Sequence, residues 1–467
     1  MALLTGAFLC GASLSQAAAT VTIVNNDGPG VGFNDPTPAL PVGGNDGTTL
    51  GQQRLNAFEF AARKWGATLT SVPTIRIRAN WQALACNAGS AVLGAAGATS
   101  VWRNFAGAPR VNTWYGAALA NALSGAALDP GTPEILARFN IDLGKPGCLT
   151  GTFFYLGLDN NAGSSVDLVA VLLHELGHGL GFQTFTNGSN GAQLLGFPSV
   201  YDHFLLDSSL NKTWVNMTNA ERAASAIRTG GLAWSGPIVN DAAINVLTPA
   251  PGLNVTAPSS VAGRYFVGTA SFGPALNTTG VTAQVMPVVD QADGRTGLAC
   301  TTLSAVNRVA VAGKIALVDR GTCTFNVKAQ NVQAAGAVGM LVVDNVAGTG
   351  VPPGLGGIDP LVTIPSVRIL QSDGNALKAA LVTRSRTSSP VVATLGIDLL
   401  LRQGMNRNGK MLMYAPNPFQ GGSSVSHFDT SASRNQLMEP SINADLTHEV
   451  KPPQDLTYKL LQELGWQ

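Results

Sequence analysis

Residues 174–178 read His-Glu-Leu-Gly-His, two imidazoles and a carboxylate within five positions. On a helix, His174 and His178 fall on one face, one turn apart, and can grip a single ion. Glu175 then lies about 100° round the helix from His174. It stands beside the ion instead of facing it, where it can hold a water and take its proton. This pattern of residue types predicts Zn2+ as cofactor and hydrolysis as chemistry. The plainer alternative is a surface helix with two incidental histidines. It is weakened by the scarcity of the residue, five histidines in 467 positions.

Catalytic zinc takes three protein ligands and keeps a fourth position open. The compact metzincin pattern H-E-x-x-H-x-x-G-x-x-H would set the third at position 184, which is Thr184. The ligand must come from elsewhere, and the candidates are His427, His203, the adjacent Asp202, His448 and Asp429. His427 lies in Ser423-Ser-Val-Ser-His-Phe-Asp429, upstream of Met438 in Gln436-Leu-Met-Glu-Pro440. A histidine followed by a Leu-Met-x-Pro turn resembles the third ligand and Met-turn of the leishmanolysin-like metzincins. In that family an insertion separates the helix glycine from the third histidine. Residues 174–182 and 426–440 carry the likeness. It implies that His427 is the third ligand and that Met438 forms an apolar floor under the metal without ligating it.

The elements around these residues are partly readable. Residues 50–67 place Leu55, Phe58, Ala62 and Trp65 at helical spacing, with Gly66 as a stop. Residues 74–81 alternate apolar and polar as a half-buried strand does, and 20–32 read as a strand running into a turn. Residues 153–158 predict another strand, and 161–167 supply cap residues for a helix reaching Leu180. A last helix is expected over 455–464, ended by Gly465. Between these parts, 246–262 is rich in Pro, Thr, Ser and Gly and reads as a linker. Strands at 314–319 and 338–343 with a helix at 324–335 then make a βαβ unit.

The run Gly313-Lys-Ile-Ala-Leu-Val-Asp-Arg-Gly-Thr-Cys-Thr-Phe325, with Lys328 to Asn345 after it, resembles a protease-associated (PA) domain over roughly 255–395. The resemblance implies a small α/β module, with no catalytic residue of its own, held by a Cys300–Cys323 bridge. The expected fold is therefore α+β: a zincin/metzincin-like catalytic domain interrupted by a PA domain. Its parts are a signal peptide at 1–19, catalytic residues 20–250, the PA domain at 255–395, and the catalytic remainder at 398–467.

Composition bounds the rest. The chain is 45% apolar but only 12% charged, with net charge +1. It has no basic run to attract nucleic acid or anionic lipid. No stretch predicts a membrane span. Residues 1–19 combine a short apolar run with small residues suited to signal-peptidase cleavage, without a basic n-region; a buried N-terminal strand or helix is the alternative. Beyond Cys10 remain Cys86, Cys148, Cys300 and Cys323, an even count that reads as disulfides in an exported chain. The pairing that keeps each bridge inside one domain is Cys86–Cys148 and Cys300–Cys323.

The function expected is a secreted, monomeric zinc metalloendopeptidase that cleaves polypeptides with a zinc-activated water and Glu175 as general base. Its rivals are a catalytically degenerate secreted protein that binds through the PA domain, and a metallohydrolase acting on non-protein amides.

Overall fold

The computed structural model describes residues 18–292 and 297–467. The proposed signal segment lies outside the described residues except for Ala18 and Ala19. Ala19 is already packed, its N–H bonded to the carbonyls of Gly66 and Leu69.

The first body begins with β1 (Val21–Asn25), α1 (Leu50–Gly66), β2 (Ile75–Gln82), β3 (Gly94–Ala98), β4 (Ile135–Asn140) and α2 (Leu168–Leu180). The sheet order is β1-β2-β4-β3; β1, β2 and β4 are parallel, and β3 runs antiparallel along one edge. The alternation of β2 turns Ile75, Ile77, Ala79 and Trp81 into the core. Thr49 caps α1 by accepting from the Gln52 N–H at 3.2 Å, and α1 buries Phe58, Ala61 and Trp65 beneath the sheet. All thirteen residues of α2 are buried. An interior helix loses the polar face of a surface helix, and this one has β3 on one side and α1 on another. The chain closes with α3 (Thr457–Leu464), after which the Trp466 indole donates to the Leu180 carbonyl at 2.7 Å and ties the chain end to the end of α2.

The second body is an eight-stranded mixed sheet. Its order is Gly263–Phe266, Pro249–Ala257, Val392–Arg402, Val281–Pro287, Ile315–Asp319, Gly339–Val343, Ser366–Ile369 and Gly268–Thr269. The stretch read as a linker is therefore largely a strand. Pro249 and Pro251 punctuate it, yet both precede Gly252–Val255, the part that is paired on both sides. Prolines are tolerated where one flank needs no N–H. At the far side of the inserted body, the strand Val392–Arg402 continues past 398, the expected start of the catalytic remainder.

The apolar cores follow the same division. One buried cluster runs from Ala19 to Leu247 and resumes at Met405. The two clusters flanking the second sheet draw only on residues between 253 and 395. Pro249 and Arg402 pair across neighbouring strands, so the chain leaves and re-enters the first body at nearly one point. Disulfides join Cys86 to Cys148 in the first body and Cys300 to Cys323 in the second. Among the described residues, no helix is long and apolar enough to cross a membrane.

Candidate active site

Asp167 opens α2 by accepting from the N–H groups of Val169 and Ala170 at 2.9 and 3.1 Å, which satisfies donors a helix start leaves free. Gly181 ends it with φ 128°, a conformation that suits glycine. The turn brings the Phe182 carbonyl back to accept from His178 Nδ1 at 2.8 Å. Gly177 serves differently: a Cβ there would stand 2.9 Å from the Met438 sulfur. The bare backbone lets Met438 lie directly against the helix below the histidines.

The third imidazole comes from a loop 249 positions away. His427 Nδ1 donates to Ser423 O at 2.7 Å, and the His427 carbonyl accepts from Tyr414 N at 2.9 Å. Phe428 N donates to Met438 O at 2.8 Å, which locks this loop to the Met438 turn. That turn supplies the Leu437 carbonyl, which accepts from His174 Nδ1 at 2.7 Å.

All three imidazoles thus spend Nδ1–H on a backbone carbonyl, and the neutral tautomer leaves Nε2 as a bare acceptor. The three Nε2 atoms converge: His174 to His178 at 3.2 Å, His178 to His427 at 3.3 Å and His427 to His174 at 3.2 Å. Three lone pairs in a buried site cannot hydrogen-bond one another and call for a cation at their centre. Tetrahedral zinc with Zn–N of about 2.0–2.1 Å needs nitrogens roughly 3.3 Å apart. The donor set and its spacing fit zinc.

The electrostatics agree. Burial holds His174 down to about 4. Burial and the neighbouring His174 hold His178 down to about 3, and His427 is likewise held well below the ordinary imidazole range. The trio stays neutral at physiological pH and ready to ligate. Glu175 is 8% exposed; burial pushes its carboxyl up to about 8, opposed by a backbone hydrogen bond from Ala96 of β3. A carboxyl poised near neutrality suits proton transfer in both directions.

Other candidate positions are occupied elsewhere. Asp202 is fully buried and accepts from Thr184 Oγ1, Thr186 Oγ1 and Ser199 N at 2.5, 2.6 and 2.8 Å. His203 Nε2 meets Thr113 Oγ1 at 3.1 Å. His448 Nε2 pairs with Asp167 at 3.0 Å, bracing the cap of α2. Asp429 accepts from Ser431. Two contributors escaped the sequence reading. Asp455 accepts from the Leu437 N–H at 2.6 Å, so the two backbone groups of Leu437 link a buried carboxyl to His174. Ala96 was hidden because an edge-strand N–H leaves no mark on residue type.

The three histidines and Glu175 line a cleft of about 1300 Å³. Its lining also includes Val171, Ile442, Leu446, Thr184, Thr186 and Phe419. The strand β3 forms a long wall. Thr99 N bonds Glu134 O and Asn140 N bonds Leu93 O, so residues 95 and 97 pair inward with β4. The backbone groups of Gly94, Ala96 and Ala98 consequently face away from the sheet.

A sequence model of the PA domain matches residues 281–377, so the chain contains a PA domain. The ER degradation-enhancing alpha-mannosidase-like protein 3 of Xenopus laevis is 39% identical over 82 residues, 16% of this chain and 9% of that protein. Vacuolar-sorting receptor 2 of Arabidopsis thaliana is 34% identical over 142 residues, 28% of this chain and 22% of that protein. The chain thus spans less than a quarter of either relative. Among solved structures, a zinc aminopeptidase from Bacillus subtilis matches with TM-score 0.23 and 23% identity, covering 34% of this chain and 36% of that one. An aminopeptidase from Aneurinibacillus sp. strain AM-1 matches with TM-score 0.22 and 21% identity over 42% and 41% of the two chains. At those TM-scores neither structure bears on fold or activity here.

Proposed function

We propose that this chain is an exported zinc-dependent metalloendopeptidase with a metzincin-type catalytic body, and that His174, His178 and His427 hold the metal while Glu175 is its general base. The observation that carries the reading is the convergence of three bare imidazole nitrogens beside a buried carboxyl in a large cleft.

Zinc held there supplies Lewis acidity toward a carbonyl and lowers the pKa of a water. The chain's own groups do the rest. The Leu437, Phe182 and Ser423 carbonyls keep each imidazole turned inward. Glu175 accepts a proton from the attacking water at its carboxylate and delivers it to the leaving amine nitrogen. Ala96 N–H fixes that carboxylate against β3. The outward backbone groups of Gly94, at the cleft wall beside Glu175, can bond an extended peptide as an added strand. A cleft of about 1300 Å³ has room for a polypeptide segment rather than a small molecule alone. Met438 closes the site from below as packing, without a donor role. Disulfides in both bodies suit an oxidising, extracytoplasmic setting.

Casein digestion by the purified chain tests this. Digestion should stop with 1,10-phenanthroline, return with added zinc, and yield internal fragments. Digestion indifferent to the chelator would refute the proposal.

A further inference from the structure

The cleft is large but almost without usable charge. Its volume of about 1300 Å³ exceeds the roughly 300–1,000 Å³ of a small-molecule site and suits a polypeptide segment. Among the described residues that line it there is no lysine or arginine. Apart from the histidines and Glu175, its ionisable side chains are Asp167 and Glu439. Both are already engaged. Asp167 accepts from two N–H groups at the start of α2 and from His448. Glu439 is 1% exposed and accepts from Gln436 N at 2.7 Å and Asn443 Nδ2 at 3.2 Å. Burial raises its carboxyl to about 8. The walls are otherwise Gly, Ala, Ser, Thr, Asn and Gln183 with a few apolar side chains, and β3 offers nothing larger than a methyl group.

We infer that the cleft selects extended polypeptide segments carrying no charged side chain next to the scissile bond. The inference rests on the endopeptidase reading and adds the chemical class of the substrate. A lysine or glutamate side chain drawn into the cleft would give up hydration and meet no free counter-ion in its walls. Neutral residues lose little and gain apolar contact with Val171, Ile442 or Phe419. Rejection should be independent of the sign of the charge, because the walls supply neither free counter-ion.

The test uses zinc-loaded full-length protein and internally quenched peptides of one neutral sequence. Single Lys or Glu replacements are placed immediately on either side of the mapped cleavage point. Each replacement should lower kcat/KM by at least about tenfold, since the cleft leaves the charge unpaired. Ser441→Asp, which adds an anion to an exposed cleft residue, should recover part of the loss for Lys peptides and none for Glu peptides. Equal kcat/KM across the set overturns the inference, as does wild-type preference for Lys over the neutral residue. If the zinc-loaded wild type cleaves none of the peptides, the endopeptidase reading fails instead. Binding of the same peptides to zinc-loaded Glu175→Gln, followed by fluorescence polarisation, then decides the charge rule by the same tenfold criterion.

Discussion

Thr184 donates its hydroxyl to Asp202 at 2.5 Å. The position where a compact zinc pattern would carry its third ligand is thereby tied to a residue that rivals for that role. Thr186 Oγ1 and Ser199 N donate to the other carboxylate oxygen. Burial raises the Asp202 carboxyl and these donors oppose it. Asp202 thus organises the turn after α2.

Asp202→Asn should therefore keep one zinc per chain while destabilising the fold by about 1–3 kcal/mol, the cost of disturbing a buried network. His203→Ala should also keep its zinc. His427→Ala should lose zinc and activity together, because two imidazoles are left at the site. Metal analysis by mass spectrometry and urea titration separate these outcomes. Zinc loss in Asp202→Asn with retention in His427→Ala would reverse the assignment.

The second body should be separable. Gln403 N donates to Thr248 O at 3.0 Å, so the residues flanking 249–402 are already hydrogen-bonded neighbours. Excising 249–402 and joining Thr248 to Gln403 through a short glycine linker imposes little closure cost. It forfeits the Thr349–Thr229 contact and the Arg407–Asp373 ion pair. A soluble product binding one zinc and cleaving short peptides is expected. A soluble product without zinc would show that the second body is needed to shape the site.

What could be read from the chain follows physical range. The helix carrying His174 and His178 was legible because the two imidazoles sit one turn apart and its cap and closing glycine are local. Met438 and His427 lie far from α2 in sequence, and their placement rested on a family likeness, not on spacing. The Asp455–Leu437–His174 link spans both a short and a very long separation, and neither has a periodic signature. The strand at Pro249–Ala257 was misread because proline and threonine punctuate loops more often than strands. Pairing partners drawn from 263–266 and 392–402 overrode that local preference.

Acid should unfold the metal-free protein early. The folded state holds His174 and His178 at about 4 and 3, below the ordinary 6.5 to which they return on unfolding. Between pH 6.5 and 4 the unfolded chain binds protons that the folded site refuses. Stability is present above 6.5 and is lost as pH falls, by up to about 1.4 kcal/mol per pH unit for each such histidine. Urea midpoints of chelator-treated protein should fall steadily from pH 6.5 to 4.5, and His174→Gln should reduce the slope. Glu175 and Glu439, raised to about 8, act in the opposite direction, so a slope unchanged by His174→Gln would contradict the burial of that imidazole.

The most direct measurement is the cleavage rate of one internally quenched peptide by wild type and by Glu175→Gln, each shown to hold one zinc. Glutamine preserves the size of the side chain and its contact with β3 but cannot take a proton. The account predicts unchanged zinc content with the rate lowered by about 10²–10⁴-fold or more. A zinc-loaded Glu175→Gln protein cleaving at the wild-type rate would contradict it.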